Sequence, residues 1–126
     1  MPVPEDRLYS KEHEWAHLQS DGSVIIGITD FAQDELGDVV YLELPAEGEN
    51  VIQHKQMGEI ESVKAVSEIF SPVSGVVLQV NTSVKDTPEL VNNSPFEEGW
   101  LIKVQPSNQA ELESLLSPED YTALTE

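Results

Sequence analysis

The stretch Ile60-Glu61-Ser62-Val63-Lys64-Ala65-Val66-Ser67-Glu68-Ile69 reads almost the same in both directions. Folded back on itself, it sets Ile60 against Ile69, Glu61 against Glu68, Ser62 against Ser67 and Val63 against Val66. Matched side chains across two adjacent strands are what stabilise an antiparallel pair. The segment is therefore expected to be a hairpin with Lys64 at a protruding tip. Its turn lacks Asn-Gly, so the register is open to a slip of one residue.

Outward from this hairpin the sequence keeps the same character. Ser23–Thr29, Asp38–Leu44, Met57–Val63, Ala65–Phe70, Gly75–Asn81 and Trp100–Val104 are short, rich in Val and Ile, and bounded by Gly, Pro, Asn or Asp, as strands are. Asp21-Gly22, between Glu14–Ser20 and Ser23–Thr29, predicts a two-residue hairpin turn. Helix is expected only in short pieces. Asp30 with Gln33 resembles a capping pair closed by Gly37. Leu112, Leu115 and Leu116 share one helical face, and Ser117-Pro118-Glu119-Asp120 begins a last helix. The fold class is all-β, a flattened barrel or sandwich with short helices in its N-terminal half and at its C-terminus.

The 126 residues amount to one domain, 1–126, large enough to bury about two-thirds of its unfolded surface. There is no cysteine, which excludes disulfides and thiolate chemistry and suits a reducing compartment. Six basic against twenty-four acidic residues leave a net charge of −18. Such a chain repels phosphate backbones and anionic membranes, so neither nucleic acid nor membrane is an expected partner. The N-terminal residues carry no apolar run of signal-peptide length, and the expected location is the cytoplasm.

His13-Glu14-Trp15-Ala16-His17 matches the H-E-x-x-H letters of zinc proteases. That chemistry needs a helix, which puts both imidazoles on one face. Here a turn and a strand pattern follow at once, and in a strand the two histidines stand ~13 Å apart. No metal site and no catalytic residue is expected.

Lysine is scarce: Lys11, Lys55, Lys64, Lys85 and Lys103. Nothing in the sequence around Lys64 signals burial or a neighbouring cation, and Glu61 and Glu68 are expected to keep it charged. That speaks against a nucleophilic or Schiff-base role. A tip lysine on a rigid β-platform suits covalent modification instead, because an enzyme can reach it and the strands keep an attached arm clear of the core.

These residues resemble a known family, the H proteins of the glycine cleavage system. The resemblance covers nearly the whole chain. It runs through Tyr9-Ser10-Lys11-Glu12-His13-Glu14-Trp15, then Gly27-Ile28-Thr29-Asp30-Phe31-Ala32-Gln33 and Leu36-Gly37-Asp38-Val39-Val40. Glu61-Ser62-Val63-Lys64-Ala65 with Ser71-Pro72-Val73-Ser74-Gly75 follows, and Pro88-Glu89-Leu90-Val91-Asn92, Ser94-Pro95-Phe96 and Gly99-Trp100 complete the order. The resemblance implies a lipoyl-carrier fold, a barrel-sandwich hybrid, with 23–105 as its lipoyl-binding core and lipoate in amide linkage on Lys64. It implies a non-catalytic shuttle. Glycine decarboxylase, using pyridoxal phosphate, would load an aminomethyl group. Aminomethyltransferase would pass it to tetrahydrofolate, and dihydrolipoyl dehydrogenase would reoxidise the arm, which a lipoate-attaching enzyme installs. Glu14 and Glu68 match the acids that hold the family's loaded arm. Three alternatives are an unmodified interaction module, a lipoyl donor serving other enzymes and a biotin carrier; biotin carriers place Met on both sides of the lysine, where Val63 and Ala65 stand here.

Overall fold

The computed structural model describes residues 2–126. Nine strands form two sheets. β1 (Leu8–Tyr9), β2 (Glu14–Leu18), β3 (Val24–Ile28), β9 (Ile102–Pro106), β8 (Gly75–Val80) and β5 (Asn50–Val51) lie side by side in that order. β4 (Val39–Glu43), β6 (Gln56–Ser62) and β7 (Val66–Phe70) make the second sheet, with β6 in the middle. Every strand pair in the sheets is antiparallel.

Alternation along the strands fills the space between the sheets. Val24, Ile26 and Ile28 of β3, with Ile102 and Val104 of β9, face Leu42, Ile60 and Ile69 of the smaller sheet, and all are buried. Each such side chain contributes roughly 1.5–3 kcal/mol on burial. A second, aromatic cluster of Tyr9, Trp15 and Tyr121 joins the N-terminal strands to the C-terminal helix. Gly27 is required there, since a Cβ on it would lie 2.5 Å from the Trp15 ring.

Several local expectations are corrected. The loop after β2 holds three residues, not two: Gln19 N–H donates to Ser23 O at 2.8 Å, and Gly22 takes φ 90°. Three-residue hairpins want glycine at that left-handed position. α1 (Asp30–Leu36) is capped by Thr29, whose hydroxyl accepts from Ala32 N–H, while Asp30 accepts from the Gln33 amide inside the helix. The leucine-bearing segment Gln109–Ser114 is a 3-10 helix rather than an α-helix. α4 (Pro118–Thr125) begins at Ser117 as the cap-and-proline pattern requires. Two further short helices, α2 (Thr82–Asp86) and α3 (Leu90–Asn93), have no periodicity that would reveal them.

Candidate functional site

β6 and β7 form the hairpin, but with Glu61 opposite Val66, Ile60 opposite Ser67 and Gly58 opposite Ile69. Each residue thus meets a partner two positions from its palindromic mate. A shift of two preserves which face each side chain occupies, so Ile60 and Ile69 both still point into the core. The near-palindrome marks the hairpin correctly and its register incorrectly, because the turn chemistry decides the register. Ser62 N–H donates to Ala65 O at 2.8 Å, and Ser62 Oγ accepts from the N–H groups of Lys64 at 3.3 Å and Ala65 at 3.1 Å. Serine at the first position of a turn can hold its amides in this way. Val63 and Lys64 are left as the two central residues. Val63 N–H also donates to Asp38 O, which ties the tip to the chain entering β4.

Lys64 is exposed. Neither Glu61 nor Glu68 pairs with it; among the described residues no carboxylate reaches Lys64 Nζ within salt-bridge distance. Its stem runs past Gly37, where a Cβ would stand 3.4 Å from Lys64 Cε. Asn92 of α3 fixes this wall. Its amide donates to Gly37 O at 2.8 Å and to Gln33 Oε1 at 3.0 Å, and its oxygen accepts from Val39 N–H at 2.8 Å.

Beside the hairpin lies a cleft of about 520 Å³. One wall is β7 with the end of the turn, from Ala65 to Ile69; the other is Glu12–Glu14 with Phe31 and Glu35 of α1. Glu12, Glu14, Glu35 and Glu68 line it, and no lysine or arginine does. Glu14 and Glu68, which stand far apart in sequence, thus share one cavity. Their environments differ. Glu68 is exposed. Glu14 is only 2% exposed, with Ser10 Oγ 2.5 Å from Oε1 and Phe70 N–H donating to Oε2 at 3.2 Å. Burial pushes its carboxyl up to about 8, against the lowering pull of the Ser10 and Phe70 hydrogen bonds. Burial thus favours the protonated carboxyl, and a cation brought beside it would favour the ionised one. A second cavity, of about 440 Å³, lies behind Ser10 and Phe70 and contains no residue of the hairpin tip.

The cleft suits an apolar arm ending in a cation. Phe31, Leu36, Ile60 and Val66 supply apolar wall, and the acids supply the countercharge. The glycine cleavage H-protein model matches residues 7–126. The chain belongs to the glycine cleavage H-protein family. It is 55% identical over 123 residues to the glycine cleavage system H protein of Oceanobacillus iheyensis, covering 98% of this chain and 97% of that one. Against the Carboxydothermus hydrogenoformans H protein it is 54% identical over 125 residues, covering 98% and 95%. The crystal structure of a glycine cleavage system H protein from Mycobacterium marinum superposes with a TM-score of 0.89 at 38% identity, covering 96% of this chain and 97% of that one. The expected lipoyl-carrier architecture of H proteins is therefore present, as two packed sheets that do not close into a barrel.

The H-E-x-x-H letters lie within the residues that the family model matches. Glu14 to His17 lie in β2, so the two imidazoles are not on a helical face. His13 Nδ1 is 2.8 Å from Tyr121 Oη, while His17 lies 3.6 Å from Asp6. Among the described residues no three His, Asp or Glu side chains cluster as metal ligands, and no helix is long and apolar enough to cross a membrane. Sequence reasoning dismissed His13 along with the zinc motif, yet the residue lines the cleft. It also missed Ser62 and Asn92, and read Gly37 only as a helix stop; Ser62 carried a readable signal as a turn-opening serine, and Asn92 carried none.

Proposed function

We propose that this chain is the lipoyl-carrying shuttle of the glycine cleavage system, with lipoate in amide linkage on Lys64. Amide formation removes the lysine charge and supplies a dithiolane at the end of a long flexible arm; all redox sulfur is the cofactor's. The carrier takes an aminomethyl group from glycine decarboxylase, which uses pyridoxal phosphate. It gives the carbon to tetrahydrofolate through aminomethyltransferase, and its dithiol to dihydrolipoyl dehydrogenase. A lipoate-attaching enzyme reads the tip. The chain itself catalyses no step. Residues 23–105 are its lipoyl-binding core within a single domain, and Glu12–Glu14, ahead of that core, add to the wall of the cleft. A cysteine-free chain working in the cytoplasm adds no thiol to compete with the arm.

The observation that carries this reading is the unpaired, exposed Lys64 beside an acid-lined cleft. A carrier that only donated lipoyl groups would have no use for a cation-binding cavity, because the lipoyl arm is neutral. The loaded arm is not: its terminal amine is an ammonium, and Glu14 and Glu68, which line the cleft, would be its partners. The test is intact mass and peptide mapping of protein made in a lipoate-competent host. The reading requires one lipoyl group, on Lys64, lost in Lys64→Arg, and a further aminomethyl mass after incubation with glycine and its decarboxylase. An adduct on Lys55 or Lys85, or a biotinyl mass, overturns it.

A further inference from the structure

Tyr121 of the C-terminal helix is fully buried and stacked on Tyr9, with ring centroids 4.8 Å apart. Its hydroxyl touches two groups: Thr29 Oγ1 at 2.7 Å and His13 Nδ1 at 2.8 Å. Thr29, also fully buried, accepts from Ala32 N–H as the cap of α1. The hydroxyl hydrogen of Thr29 needs an acceptor, and among the hydrogen bonds of the described residues Tyr121 Oη is the one available. Leaving that donor unmade in a buried site carries the full desolvation cost of the group. Thr29 therefore donates to Tyr121, and Tyr121 donates to His13 Nδ1. With Nδ1 occupied as an acceptor, neutral His13 carries its proton on Nε2. His13 itself sits at φ 71°, packed 4.6 Å from the Phe31 ring, and lines the cleft between Glu12 and Glu14.

We propose that the Thr29–Tyr121–His13 chain keeps the imidazole from acting as a base in the cleft: it fixes His13 as an Nε2–H donor, with Tyr121 as the positioning residue. The proposal rests on the shuttle reading. An arm loaded as R–S–CH2–NH3+ is safe while its nitrogen is protonated. If a base takes one proton, the freed lone pair expels the sulfur as thiolate, giving CH2=NH2+. Water then converts that ion to formaldehyde and NH4+. An imidazole with a free Nε2 lone pair in the cleft would be such a base. Hydrogen-bonded as it is, His13 offers the arm only a donor. Burial holds its pKa below the ordinary histidine value, while Glu12 and Glu35 pull the other way. Glu14 and Glu68 also face the cleft, and Tyr121, pushed up to about 12 by burial, stays neutral.

Two measurements test this. In 15N-labelled, unlipoylated protein, long-range proton–nitrogen NMR should show His13 as the Nε2–H tautomer. Tyr121→Phe should shift the ring towards a tautomer mixture and raise its pKa, and Thr29→Ser, which keeps the hydroxyl, should leave both unchanged. In lipoylated protein loaded and freed of decarboxylase, Tyr121→Phe should release ammonia several times faster, with a rate that follows the titration of His13. His13→Asn, which tolerates the positive φ and supplies no base, should cancel that acceleration in the double variant. A merely structural effect of Tyr121→Phe would not be cancelled. An Nδ1–H tautomer in the wild type, or acceleration that persists in His13→Asn/Tyr121→Phe, overturns the proposal. The NMR result stands or falls whatever the state of Lys64, so its failure is distinct from failure of the shuttle reading.

Discussion

Glu14 and Phe70 meet at the back of the cleft: the buried carboxyl of β2 accepts the Phe70 backbone N–H of β7 at 3.2 Å. β7 is an edge strand of the smaller sheet, and β2 belongs to the larger one. One side chain thus satisfies an edge amide that no neighbouring strand covers. It also places an ionisable group in the cleft beside the Lys64 hairpin. The same carboxyl serves the fold and the site, and its protonation state links the two.

That link predicts a pH dependence of stability. Burial raises the Glu14 carboxyl from the ordinary 4.5 to about 8 in the fold. Below the unfolded value both states hold the proton, and the contribution is fully present. As pH rises between the two values the unfolded chain has released its proton while the fold retains it. Stability from this group then falls by roughly 1.4 kcal/mol per pH unit, levelling off above the folded value. Urea midpoints of wild type and Glu14→Gln should therefore diverge from about pH 5 to about pH 8, with the wild type losing ground. Parallel curves would mean that the carboxyl is already ionised in the fold.

A second expectation concerns Gly37, which ends α1 at φ 78°, ψ −159°. That combination is essentially restricted to glycine, and another residue there costs about 1–3 kcal/mol. The added Cβ would also press on the Lys64 stem at 3.4 Å. Gly37→Ala should lower stability by that amount in denaturant titrations. It should also slow lipoylation of Lys64, because the tip loses its resting position. The same substitution at Gly48, where φ is 88° but no atom lies within 4 Å, should show the stability loss alone.

How much of this was legible beforehand depended on whether the information was local. The strands were, since each is a short β-branched run between turn residues. So was Lys64, because the hairpin that carries it reads as a unit. The register was not: side-chain symmetry favoured Ile60 opposite Ile69, and three hydrogen bonds at the Ser62 hydroxyl and amide moved the turn instead. The shared cleft of Glu14 and Glu68 came only through family resemblance, since no spacing rule relates residues brought together by packing two sheets. The raised pKa of Glu14 was out of reach altogether, because it follows from burial.

Electrostatics should act with opposite signs on stability and on docking. Glu59 stands directly opposite both Glu43 and Glu68. Like charges facing each other across strands destabilise a sheet, and the chain as a whole carries −18. Raising salt shortens the Debye length from about 10 Å at 0.1 M to about 3 Å at 1 M. The thermal midpoint should rise with salt, while the rate of loading by glycine decarboxylase should fall as steering is lost. Loading rates that stay flat across that range would leave the charge a role in solubility alone.

The hold on the loaded arm should be unequal between its two acids. A cation placed against Glu14 sits in a buried, weakly screened site and favours the ionised carboxyl. Glu68 is exposed, and an exposed pair contributes only about 0–1 kcal/mol. Loading should therefore release a proton near neutral pH as Glu14 ionises, visible with an indicator dye in weak buffer. Glu14→Gln should abolish that release and shorten the loaded lifetime severalfold; Glu68→Gln should shorten it little, and the double variant little more than Glu14→Gln alone. Lipoylation should be intact in all three, because neither acid belongs to the turn that presents Lys64. Timing ammonia loss after removal of the decarboxylase reads the lifetimes directly. Equal lifetimes in wild type and the double variant would mean that the cleft protects the arm by its shape and not by its charge.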